Sequence, residues 1–149
     1  MTELSPNRQR AQRLLIGGLV GGHAVLIVAV VAFWVAQGRL AAFSAAIGGV
    51  LTIVFFTIGQ AVQVMLAEAS PKVVLVGALA SFLARVVGLG LLLVLALENA
   101  ERLAWFAPVA FAISTIAVVV GWLAAEIWVF SRLRIPVFDE PRKGMDNPA

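Results

Sequence analysis

Two charged side chains stand well inside long apolar runs of this chain, Arg85 and Glu126. An arginine near the bilayer centre costs ~2.5–3.5 kcal/mol on insertion scales, so Arg85 demands a partner or a route to water. Glu126 is the expected partner, with Gln60 or Gln63 bonding to what remains, and His23, Ser81 and Trp122 complete an expected intramembrane polar cluster. At ~1.5 Å of rise per residue, counted from the basic ends of the runs, Arg85 lies about 19 Å deep, His23 about 15 Å, Gln60 about 12 Å, Glu126 about 9 Å and Gln63 about 7 Å. Side chains lean toward the N-terminus of their own helix, and the third and fourth runs are antiparallel, so Arg85 and Glu126 should approach each other. Trp122, one turn from Glu126, is placed to lie against the guanidinium. Such a cluster either fixes helix register and rotation or lines a water-accessible pocket for an ion or a partner's side chain.

Enzymatic and metal chemistry find less support. With no cysteine there is no thiol nucleophile, disulfide framework or thiolate metal site. Ser44, Ser81 and Ser114 have no base arrangement evident in the sequence, and serines within membrane helices usually bond to their own backbone or pack helices. His23 with Glu126 could be read as a metal pair, but Mg²⁺ takes oxygen ligands and only one carboxylate lies well inside the membrane. We therefore expect no enzyme, no metal site and no cofactor.

The elements that must position these residues are set by hydropathy. The chain has 149 residues, 62% of them hydrophobic and 13% charged, which excludes an ordinary water-soluble globule. The apolar residues form four blocks, at about 14–36, 43–66, 73–97 and 104–130, each long enough to cross ~30 Å of hydrocarbon as a helix. The fold class is all-α, an integral membrane four-helix bundle with short loops and lipid as its surroundings. The first block follows Arg8, Arg10 and Arg13 but exceeds the ~7–15 apolar residues of a secretory signal, so it reads as an uncleaved anchor. Ser5-Pro6 and Ser70-Pro71 are helix-start signals, and Gln37-Gly38-Arg39 is a tight turn with Gly38 in a capping position. Glu98, Glu101 and Arg102 read as solvated charge in a short outer connection.

Arg8, Arg10, Arg13, Lys72, Arg132, Arg134, Arg142 and Lys143 fall on one side, against Arg39 and Arg102 on the other. That asymmetry predicts both termini in the cytoplasm. Trp34 and Trp105 then lie at the outer interface and Trp128 at the inner one. Residues 1–13 form a basic cytoplasmic segment, 14–130 the membrane domain and 131–149 an extended cytoplasmic tail in a cell membrane. The formal net charge is only +3, so the basicity is a matter of placement and does not point to nucleic acid.

Association in lipid rests on close backbone approach and polar contacts, so small and polar residues identify buried faces. On the second helix Ala45, Gly48, Gly49, Thr52, Phe56, Gly59, Gln60 and Gln63 share about a third of the circumference, opposite Ile47, Val50, Leu51, Val54 and Ile58. Ala78, Ser81, Arg85 and Gly88 form a stripe on the third, and Thr115, Val119, Trp122 and Glu126 one on the fourth. On the first helix Gly17, Gly18, Gly21 and Gly22 make overlapping GxxxG pairs nearly opposite His23, so both faces want a neighbour. Either this helix sits between two others of the same chain, or its glycine face receives a helix from another subunit, a second copy included.

Four short-looped spans, the segment Ser44-Ala45-Ala46-Ile47-Gly48-Gly49 and the segment Ser81-Phe82-Leu83-Ala84-Arg85-Val86-Val87 together resemble the ATP synthase protein I family. The segment Arg134-Ile135-Pro136-Val137-Phe138-Asp139 is similar to the actinobacterial branch of that family. The resemblance implies a membrane assembly factor of the F1Fo ATP synthase that assists assembly of the c-subunit ring, with handling of Mg²⁺ as a further suggestion. It matches the family's third-helix basic residue to Arg85 and its paired glycines to Gly48 and Gly49. Phe82 stands where some relatives carry an acid, and Phe55-Phe56 where some carry Pro-Asn, which favours assembly over ion transport. The c subunit, as a glycine-rich helical hairpin, is expected to pack laterally on Gly17, Gly18, Gly21 and Gly22. A Mg²⁺ or proton transporter component and a structural subunit of another membrane complex are the competing readings.

Overall fold

The computed structural model describes residues 5–102 and 105–133, and all of its regular structure is helical. The helices are α1 (Pro6–Gln37), α2 (Arg39–Leu66), α3 (Pro71–Glu98) and α4 (Pro108–Arg132), with a single 3-10 turn at Ala100–Arg102. All four are long and apolar enough to cross a membrane. The expected tail motif at residues 134–139 lies outside the described residues, as does the expected start of the fourth span at Ala104.

Local chemistry explains the boundaries. Proline opens α1, α3 and α4, where its missing N–H costs nothing and its fixed φ suits the first turn. Ser5 caps α1 by accepting the Arg8 N–H and donates its own hydroxyl to Glu68 Oε1 at 2.7 Å. Ser70 stands in the cap position of α3 but makes no side-chain cap bond. Between α1 and α2 the break is the single residue Gly38, whose φ of 85° lies in the region that disfavours a side chain. That sharp reversal lets α2 begin at Arg39, earlier than the apolar block suggests. The fourth helix begins at Pro108: Ala107, the residue before proline, is held extended, and Trp105 and Phe106 lie outside the helix.

α2 is the central rod. It packs against α1, α3 and α4, while α1 also lies along α4. Its buried residues include Ala45, Gly48, Gly49, Thr52, Phe56, Gly59 and Gln60, with Val50, Val54 and Ile58 exposed on the far side. Ile53, Phe56, Val118 and Trp122 form the main core, and Ala41, Ala45 and Ala110 a second one toward the Gly38 end. At that end Ser44 links two helices, accepting the Ala107 N–H at 2.8 Å while donating to the Leu40 carbonyl.

α3 is the outlier. It lies along α2 and barely meets α4. Only Ser81 and Arg85 of its residues are buried.

Candidate functional site

The polar residues gather on both sides of the Gly59-Gln60 step of α2. On one side the Arg85 side chain crosses Gly59, where a Cβ atom would collide with the guanidinium. Arg85 Nη2 donates to Ser81 Oγ at 2.9 Å, and Ser81 Oγ donates to the Gly59 carbonyl at 3.0 Å. The Phe56 ring lies 5.1 Å from the guanidinium carbon. Arg85 is 7% exposed, and its Nε has no hydrogen-bond partner among the described residues.

On the other side of the step, Glu126 Oε1 accepts from Gln60 Nε2 and, at 2.7 Å, from Trp122 Nε1. Trp122 is fully buried and tilts against Phe56, with ring centroids 5.5 Å apart. Both ionisable side chains bond to the residue four positions earlier on their own helix, Arg85 to Ser81 and Glu126 to Trp122. That is the lean expected of helical side chains.

The expected ion pair needs correction. Arg85 and Glu126 line one cleft, together with Gln60 and Gln63, but they make no direct contact; their hydrogen bonds go to Ser81 and to Gln60 and Trp122. The cause is that α3 packs on α2 and barely meets α4, so Arg85 lies over Gly59 of α2 and Glu126 turns to Gln60 of α2 and to Trp122 of its own helix. Trp122 does not cover the guanidinium either, because its indole is committed to Glu126 and Phe56 covers Arg85 instead. Gln63 lines the mouth of the cleft without a hydrogen bond among the described residues. His23 is outside the cluster: it is exposed, and its Nδ1 lies 2.7 Å from the Leu19 carbonyl of its own helix.

The glycine faces are filled from within the chain. A Cβ on Gly17 would meet Val129, on Gly18 the Trp122 indole, and on Gly21 both Ala125 and the Gly121 carbonyl oxygen. Gly22 faces Trp122 and Ile53. Gly48 lies against Phe111 and Thr115, and Gly49 against Leu26, Ser114 and Val118. The expectation that the α1 glycines receive a helix of another subunit is thus overturned; α4 occupies that face. Gly121 and Ala125, four apart on α4, supply the answering small pair, which a search restricted to paired glycines misses.

One surface had no counterpart in the sequence reading. Between α3 and α4, over the floor of α2, runs an open crevice of about 290 Å³. Arg85 and Thr115 supply its polar groups, and Thr115 Oγ1 is buried without a hydrogen-bond partner among the described residues. Phe82, Val86, Gly90, Val120 and Leu123 supply much of its apolar wall. The signal was present in the narrowness of the α3 stripe: Ala78, Ser81, Arg85 and Gly88 make a face wide enough for one neighbour, which is α2. Among the described residues no group of three or more acidic or histidine side chains could hold a metal ion. Comparisons of the chain with protein-family models, with curated proteins and with solved structures return no match.

Proposed function

We propose that this protein is a non-enzymatic membrane assembly factor that holds a transmembrane helix of its client in the crevice between α3 and α4. The observation that carries this reading is the crevice itself, an apolar groove open to lipid in a molecule whose glycine faces are otherwise occupied by its own helices. The client favoured by the sequence resemblance is the c subunit of the F1Fo ATP synthase, docked at α3–α4 rather than at the α1 glycines. A small-residue helix would fit where Gly90 leaves open space, since a Cβ built there meets no atom within 4 Å. Arg85 at one end of the groove gives it polarity and would set the register of the incoming helix. The basic residues clustered at the end holding the α1 N-terminus and the α4 C-terminus support cytoplasmic termini in the plasma membrane.

The test uses the cysteine-free chain with a single introduced cysteine, labelled on its thiol with a photocrosslinking group, at Val86 or Val120, both exposed beside the groove. Crosslinking in native membranes should give an adduct with the c subunit. Gly90→Leu should reduce the adduct several-fold without lowering the amount of protein in the membrane. Adducts only with further copies of the chain would replace this reading with self-association. Mg²⁺ or proton uptake by reconstituted vesicles would replace it with transport, in which the cleft of Gln60, Gln63 and Glu126 would be the route.

A further inference from the structure

We propose that the cleft between the start of α1 and the end of α4 is a binding site for the headgroup of an anionic phospholipid. The cleft has a volume of about 370 Å³ and is lined by Pro6, Gln9, Arg10, Arg13, Arg132 and Leu133. Arg10 and Arg13 are three residues apart, so they share one face of α1, and Arg132 reaches them from the last turn of α4. None of the three arginines has an ion-pair partner among the described residues. The guanidinium of Arg132, which lines the cleft, stands 5.0 Å over the Trp128 ring.

No acidic residue lines the cleft among the described residues. The first turn of α1 carries no acidic residue of its own; the one carboxylate placed at its start, Glu68, is engaged by the cap residue Ser5 and does not line the cleft. An anion in the cleft would be met by three guanidinium forks, the side-chain geometry best suited to phosphate oxygens. α1 has 32 residues and is therefore about 48 Å long, against ~30 Å of hydrocarbon, so its first turns emerge at headgroup depth. Ile16 and Val20 on α1 and Trp128 on α4 are exposed further along the same two helices, offering apolar surface for acyl chains. A zwitterionic lipid satisfies the phosphate contacts but brings an ammonium group into a cleft of three cations. The site should therefore select phosphatidylglycerol over phosphatidylcholine.

Native mass spectrometry of the full chain, released from detergent in the presence of each lipid, tests the assignment. Phosphatidylglycerol should remain bound after phosphatidylcholine has dissociated, with affinity falling about five-fold for each arginine removed, in Arg132→Gln and again in Arg10→Gln/Arg132→Gln. Arg39→Gln/Arg102→Gln, which removes the same charge at the opposite end, should bind as the parent does. Arg132→Gln retains the N-terminal basic residues that direct insertion, and the lipid comparison on the unaltered chain needs no variant at all. Equal retention of the two lipids would overturn the proposal, as would undiminished phosphatidylglycerol binding by Arg10→Gln/Arg132→Gln. Inorganic phosphate displacing the lipid at equal concentration would overturn the lipid assignment in favour of a free-anion site.

Discussion

The α1–α4 seam and the α2–α3 seam join helices of similar length and hydropathy by different means. Along α1–α4, Gly21 lies against Ala125 and the Gly121 carbonyl and Gly17 against Val129, so backbones approach closely and dispersion acts along the contact. Along α2–α3 the contacts are side chains set into single glycine notches: Leu66 on Gly77, Arg85 on Gly59, and Phe55 on Gly88. The first arrangement makes a rigid wall. The second hangs one helix from a few points and leaves its other faces free, which is the geometry a client-holding groove requires.

Breaking the wall should have the largest effect. Gly21→Leu would drive a side chain into Ala125 and the Gly121 carbonyl, backbone that cannot give way, and should cost about 2–3 kcal/mol or disrupt the bundle. Unfolding in detergent, followed by loss of helical signal, is the measurement. Gly59→Ala tests the hung helix. Its methyl group displaces the Arg85 guanidinium, so a loss of about 1–2 kcal/mol is expected, together with weaker disulfide trapping between Leu66→Cys and Gly77→Cys. In an Arg85→Ala background the same change should cost almost nothing, because the colliding atoms are gone. Full cost in that background would mean that Gly59 matters for another reason. Ser81→Ala, which removes the bridge between Arg85 and the Gly59 carbonyl, should be mildest, at about 0.6 kcal/mol, and should leave the α1–α4 seam unchanged. A loss as large as that of Gly21→Leu would erase the distinction between the two seams.

Much of the architecture could be read without coordinates, because the relevant rules are local. Ser5-Pro6 announces the start of α1 well before the bilayer, and the small stripe on α2 marks the face that is buried. The site was legible in its membership more than in its bonding. Gln60, Trp122 and Glu126 do come together, and Ser81 does hold Arg85. His23 does not join them: a polar side chain on a membrane helix can satisfy itself on the carbonyl four residues earlier, and periodicity cannot tell that outcome from a cluster. The two open readings of the α1 glycines, of which packing within the chain is the one found, have a similar origin. A GxxxG face states that a close neighbour exists but carries no label saying whether that neighbour is a helix of the same chain.

What the amino-acid sequence determined alone is what one helix can specify about itself: four apolar rods, the proline starts of the first and third, the glycine turn at residue 38, and the faces too small or too polar for lipid. What only the tertiary structure decided is which faces meet. The separation of α3 from α4 sends Arg85 to Gly59 instead of to Glu126 and leaves the groove between them. That separation follows from all the contacts along α2 at once, a sum over pairs distant in the chain that no single stripe contains.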